Sequence, residues 1–161
     1  MKGILLICFM LFSFSGIELD NVRKQFEDAK ASKEATESLY KLLQDYQKDD
    51  PVLLAYKGAA LTLRARYLTE RSAKKDMVSQ GITVLERAVK SSPNQVEVRI
   101  IRLAVQEHSP KILKYKMNIA EDKQMILSNI SGQPVAVKSM VKRYAKQSQV
   151  FTAEEQKKLS Q

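Results

Sequence analysis

His108 is the only histidine in the chain and Cys8 the only cysteine. A metal site built on nitrogen or sulfur needs several such ligands converging, and this sequence has none to converge. As a general base, His108 would need a carboxylate or nucleophile brought beside it by folding. Its neighbour Glu107 points elsewhere on a helix, and Ser109-Pro110 marks a helix end, so the spacing places His108 in a capping or surface role. No serine stands in a nucleophile-elbow context, no glycine-rich phosphate loop is present, and no acidic cluster has metal-loop spacing. Asp49-Asp50 and Glu121-Asp122 both fall at helix starts, where negative charge opposes the helix dipole. The sequence predicts no catalytic residue, no metal and no cofactor.

Arginine offers more. Arg64, Arg66 and Arg71 cluster near the end of one helical pattern, and Arg99 and Arg102 share the polar stripe of another. One reading has them pair with Glu70, Glu86 or Glu97 and join helices together. The other has Arg64, Arg66, Arg99 and Arg102 line a concave basic groove for a carboxylate or an acidic peptide, which the planar guanidinium fork suits. A second basic feature lies near the C-terminus. Residues 111–161 carry 10 Lys or Arg against 4 Asp or Glu, whereas residues 16–110 carry 16 against 14. Lys138, Lys142, Arg143 and Lys146 fall on the polar side of one helix there. They read as a solvated face or as a contact for an anionic envelope surface. No aromatic stacking platform is interleaved with them and no nucleic-acid motif is present, so nucleic acid is not a predicted partner.

The elements that position these residues are helices. Glycine and proline number 5 and 4 in 161 residues, and no segment alternates apolar and polar residues between hairpin turns. The fold class is all-α. The stretch Asn94 to Pro110 organises the rest. Val96, Ile100, Leu103 and Ala104 fall on one face; Val98, Ile101 and Val105 fall nearly opposite; Arg99, Arg102 and Gln106 form the polar stripe. Two apolar faces place a helix between neighbours. Pro93-Asn94 with Glu97 reads as its N-cap and capping box, and Ser109-Pro110 as its stop.

Before it, Val22 and Phe26 mark a short first helix and Ser32–Gln47 a second. Asp50-Pro51 starts a third, which runs to about Leu68. Thr69–Lys75 reads as a polar connection, and a fourth helix covers Asp76–Ser91. Gly58-Ala59-Ala60 is a patch small enough to let a partner helix approach closely. After Pro110, Ile112, Leu113 and Tyr115 mark a short helix, and Asn118 with Glu121 starts another. A further helix buries Val137, Met140, Val141 and Tyr144, and Thr152–Glu155 is a capping box.

Residues 1–15 read as a signal peptide, with Lys2, a short apolar run from Ile4 to Phe12 and small residues before the cut. The run is too short to span a bilayer, which takes about 20 apolar residues. Cys8 lacks the small preceding residue of a lipoprotein signal. The mature chain, residues 16–161, then has no cysteine and forms one helical domain: a hairpin at 51–93, the central helix at 94–109 and basic C-terminal helices at 110–161.

Gly81, Leu85, Ala88 and Pro93 resemble the second helix and end of a tetratricopeptide repeat, with Tyr56 and Ala60 in its first helix. The likeness covers one unit, with an inter-helix turn about nine residues longer than usual. The segments LLAYKGAALTLRARY, GITVLERAV and VEVRIIRLAVQEHSPKILKY also resemble a family of small exported all-helical proteins of Bacteroidetes, as far as about Ile130. These resemblances imply stacked antiparallel helical hairpins, a fragment of a tetratricopeptide-like α-α superhelix, and they bring no catalytic residues. The expected function is a non-enzymatic protein- or peptide-binding module of the periplasm or cell envelope. One alternative is binding of anionic envelope material through the C-terminal lysines. A further one is an enzyme using Arg with Glu or Asp from the central helices, which would need a deep pocket holding a shifted carboxylate.

Overall fold

Pro51, Pro93, Pro110 and Pro134 all lie at helix starts or between helices, so the chain between them folds into helices. The computed structural model describes residues 16–160, and the expected signal at residues 1–15 lies outside them. The described part contains α1 (Leu19–Ala29), α2 (Lys33–Leu43), α3 (Pro51–Ala65), α4 (Arg71–Ser91) and α5 (Val96–His108). A 3-10 turn (Lys111–Leu113) follows, then α6 (Ile119–Asn129), α7 (Val135–Gln147) and α8 (Ala153–Lys158), with no strand among the described residues. The fold class is all-α. No helix among them is long and apolar enough to cross a membrane.

Several starts follow from side-chain capping. The Asp50 carboxylate accepts from the Leu53 N–H at 2.9 Å with Pro51 in the first turn, and Ser32 caps α2 in the same way. Thr152 and Glu155 make the reciprocal capping box that opens α8. Several boundaries differ from the sequence expectation: α2 ends at Leu43 rather than Gln47, α3 at Ala65 rather than Leu68, the helix after Pro110 is a 3-10 turn that stops before Tyr115, and two helix starts also change. α4 begins at Arg71 rather than Asp76, because Arg71, Ala73, Lys74 and Lys75 are good helix formers and no glycine or proline interrupts them. The polar run is thus the first turns of a helix, and only residues 66–70 connect α3 to α4. At α5 the cap position is Gln95, with no side-chain bond, and Glu97 closes no capping box. Its carboxylate is buried and committed elsewhere, as described below.

α5 lies inside the molecule, packed against α3, α4, α6 and α7. Val96 and Leu103 on one face and Val98 and Ile101 on the other are all buried. The two-faced pattern thus does place this helix between layers. One hydrophobic cluster runs from Val22 on α1 through α2, α3, α4, α5, α6 and α7 to Phe151. Phe26 of α1 meets Tyr56 of α3 edge to face, with ring centroids 5.2 Å apart.

α3 and α4 cross at paired glycines. A Cβ built on Gly81 would sit 2.7 Å from the Gly58 carbonyl oxygen; one built on Gly58 would sit 2.7 Å from the Gly81 carbonyl oxygen and 2.9 Å from the Leu85 amide nitrogen. These neighbours are backbone and cannot swing aside. The crossing therefore depends on the absence of two methyl groups. Gly81→Ala and Gly58→Ala are each expected to destabilise the fold by about 1–3 kcal/mol through overpacking, although alanine gains up to about 1 kcal/mol in helix propensity. Urea unfolding of each variant checks this; unchanged or higher stability would show that the two helices separate without loss.

Candidate functional site

The polar stripe of α5 is buried rather than open. Arg99 and Arg102 are 6 % and 3 % exposed, and Asp122 of α6, at 0 %, lies between them. Arg102 binds Asp122 with two forks, Nε to Oδ2 at 2.8 Å and Nη2 to Oδ1 at 2.6 Å, and its Nη1 donates to Glu86 of α4 at 3.0 Å. Arg99 donates to Asp122 at 2.8 Å, to Glu121 at 2.6 Å and to the Pro93 carbonyl at 2.7 Å. Tyr115 donates to the second oxygen of Glu86. Burial, then this bond to a carboxylate, raises the Tyr115 phenol well above its ordinary pKa and keeps it a donor.

One turn earlier, Glu97 takes the Arg23 guanidinium of α1 in a bidentate pair at 2.7 and 2.6 Å, plus the Tyr56 hydroxyl at 2.8 Å. Burial and the Glu97 carboxylate push the Tyr56 phenol far up. α5 therefore uses its charges to tie α1, α3, α4 and α6 together. Arg99 and Arg102 present no guanidinium to a groove.

Arg64 is also engaged. Its Nε donates to Glu37 of α2 at 3.0 Å, and the guanidinium lies 4.0 Å from the Tyr40 ring centroid. Arg66 is different: it is exposed, and its Nε reaches only the Leu63 carbonyl in its own helix.

Arg66 stands at a groove of about 880 Å³. Ala59, Leu63 and Ala65 of α3, Val78 of α4, Ala104 and Val105 of α5, and Ile112 and Leu113 of the 3-10 turn supply its apolar floor. Its rim is basic. Arg66, Arg71, Lys74 and Lys75 come from the α3–α4 corner, with His108 and Lys30 across from them, and no Asp or Glu lines it. None of the four corner cations forms a salt bridge among the described residues. The hydroxyl groups that line it are committed to the fold, and the exposed Gln147 amide forms no side-chain hydrogen bond among the described residues. Thr62 donates to the Ala59 carbonyl, Ser109 to the Val105 carbonyl, and Tyr144 to Glu107. His108 Nδ1 is 2.9 Å from the Ala104 carbonyl at the end of α5. The arrangement offers shape, apolar surface and positive potential.

Of the residues singled out from the sequence, Arg66 alone among Arg64, Arg66, Arg99 and Arg102 lines this groove. Lys74 and Lys75 went unnoticed because the polar run was read as a connection. A helical reading would have put Arg71, Lys74, Lys75 and Val78 on one face. On α7, Lys138, Arg143 and Lys146 are exposed and pair with no carboxylate among the described residues, whereas Lys142 donates to the Ser160 carbonyl at 2.8 Å. No protein-family model, curated protein or solved structure matches this chain.

The end of α5 is clasped by the C-terminal segment through Glu107. Its carboxylate accepts from the Tyr144 hydroxyl, from Ser148 Oγ at 2.7 Å and from the Gln149 N–H at 2.8 Å. Partial burial works against the charged form, but these three donors outweigh it and hold Glu107 below the ordinary 4.5. A carboxylate depressed in the folded state stabilises above its unfolded value, and that contribution is lost as pH falls through the folded value. Glu107→Gln is expected to cost about 1–2 kcal/mol at pH 7, with the gap to wild type closing as pH drops below about 4. A gap that stayed constant with pH in chemical denaturation would show that the charge is not what holds the clasp.

The α5–α6 network gives a separate expectation. Asp122→Asn leaves two buried guanidinium groups short of charge and is expected to cost about 3–5 kcal/mol. Glu121→Gln, at a largely exposed carboxylate, is expected to cost less than about 1 kcal/mol. Similar small losses for both in thermal and urea unfolding would show that Asp122 does not carry the network.

Proposed function

We propose that this chain is a non-enzymatic interaction module that receives a segment of another protein in the basic-rimmed groove. The carrying observation is the groove itself: an apolar floor exposed to water, four cations on one side that form no salt bridge among the described residues, and no carboxylate in its described lining. Exposed apolar surface rimmed by polar groups marks binding sites. A hydrolytic or acid–base site is disfavoured by the same geometry, since the hydroxyls of Thr62, Ser109 and Tyr144 already serve the fold. The α3–α4 hairpin with its glycine crossing supports a reading as one tetratricopeptide-like unit, with α5 as the helix stacked on it. The signal-like residues 1–15 and the resemblance to exported Bacteroidetes proteins favour the periplasm or cell envelope as the setting.

A second reading rests on α7. Lys138, Arg143 and Lys146 form an exposed unpaired basic face, which suits anionic envelope material and would bind it in a salt-sensitive manner.

A photo-crosslinking residue placed at position 112 or 146 in the native host separates the two. The groove reading expects one discrete protein adduct from position 112, formed in the envelope fraction and lost when Lys74 and Lys75 are changed to Glu. Adducts from position 146 alone, with lipid or polysaccharide and abolished by high salt, would transfer the function to α7. Recovery of the chain from the cytoplasm with residues 1–15 attached would overturn the export setting.

A further inference from the structure

Building on the groove reading, we infer that its occupant is an acidic amphipathic helix of a partner protein, laid along the α4 rim. The rim has helical order. Arg71, Lys74 and Lys75 follow the i, i+3, i+4 spacing of one α4 face, and Val78 continues that face one turn on toward the floor. The cations thus run along an edge, about 6 Å from Arg71 to Lys75 at the helical rise. An edge of several cations answers a row of carboxylates, which a helix carries when acidic residues recur at i, i+3 or i+4. A single carboxylate or phosphate at the end of an acyl chain would leave most of that edge unmatched.

The floor gives the second half of the match. Ile112 is 80 % exposed although it lines the groove. A small ligand binds where 70–90 % of its own surface is buried, as a rough guide; here an acyl chain would keep one side in water. A helix whose apolar face covers Leu63, Val78 and Ile112 would turn its polar face outward instead.

Two other occupants fail on charge. Residues 1–15 contain Lys2 and no acidic residue, so that segment does not complement the rim, and a second copy at net +9 meets it against overall repulsion.

The test uses the full chain and fluorescein-labelled synthetic helices of about 15 residues, a length at which such peptides begin to hold helical structure. One peptide has leucines at helical spacing with glutamates along one edge, its twin has lysines in place of the glutamates, and oleate is the acyl competitor. The expected result is anisotropy-detected binding of the glutamate peptide at least about tenfold tighter than its twin. Lys74→Glu/Lys75→Glu and Ile112→Asp, all at exposed positions, should each weaken it about tenfold or more with the circular-dichroism melt unchanged. Equal binding of both peptides would overturn the acidic helix while keeping the groove. Oleate binding that is lost in Ile112→Asp, without peptide binding, would also keep the groove and replace its occupant. Binding of neither ligand, or binding indifferent to Ile112→Asp, would overturn the groove reading as well.

Discussion

A helix segment buried on every side must satisfy whatever polar groups it carries, and residues 96–103 of α5 are all buried, among them Glu97, Arg99 and Arg102, with Gln106 buried one turn on. That constraint sets the positions of the surrounding helices. Glu97 requires a cation and finds it on α1; Arg99 and Arg102 require carboxylates and find them on α6 and α4. A buried ion pair gives little net stability over an apolar substitute, yet an unpaired member is strongly unfavourable. The pairs therefore act chiefly by penalising any arrangement that leaves one charge alone. They specify which helix lies where, while the apolar cluster around Leu54, Tyr56, Leu85 and Ile101 supplies the driving force.

The groove follows from the same division of labour. Charges near the middle of α5 are consumed internally, and its last turn presents Ala104, Val105 and His108 to the α3–α4 corner. The short connection at residues 66–70 and the early start of α4 bring Arg66, Arg71, Lys74 and Lys75 to that corner with no acidic residue opposite them. Cations in the first turns of a helix work against its dipole. Their placement there is locally unfavourable, as is the exposed Ile112, and both conditions are relieved by an anionic, partly apolar partner.

Periodicity made the all-helical class and the burial of α5 legible, because two apolar faces on one helix have only one packing solution. Asp50-Pro51 and Thr152-Glu155 announced their helix starts through local chemistry that needs no tertiary context. Gly58 was legible as part of a small patch, although its meeting with Gly81 depends on the crossing geometry. The carboxylates were legible only in part: Glu97 and Asp122 do stand in the first turns of α5 and α6, and Glu86 does pair with Arg102, but the long-range role of the first two was hidden. Glu97 three residues after Asn94 and Asp122 four after Asn118 have the spacing of helix-start residues, and besides standing there both are the centres of long-range ion pairs. Sequence spacing describes neighbours within a turn and contains nothing about Arg23, 74 positions away from Glu97. Arg64, Arg66, Arg99 and Arg102 looked alike for the same reason. Only Arg66 lacks a carboxylate partner among the described residues.

The separations within these ion pairs also bear on how the chain matures as it is made. Arg23 waits for Glu97, and Arg99 and Arg102 wait for Asp122. Arg23 can meet Asp20 and Arg102 can meet Glu86 before α6 is made, but Arg99 has no carboxylate partner until Glu121 and Asp122 are present. The charge network of α5 is therefore completed by α6, the last element that supplies a partner to its buried arginines.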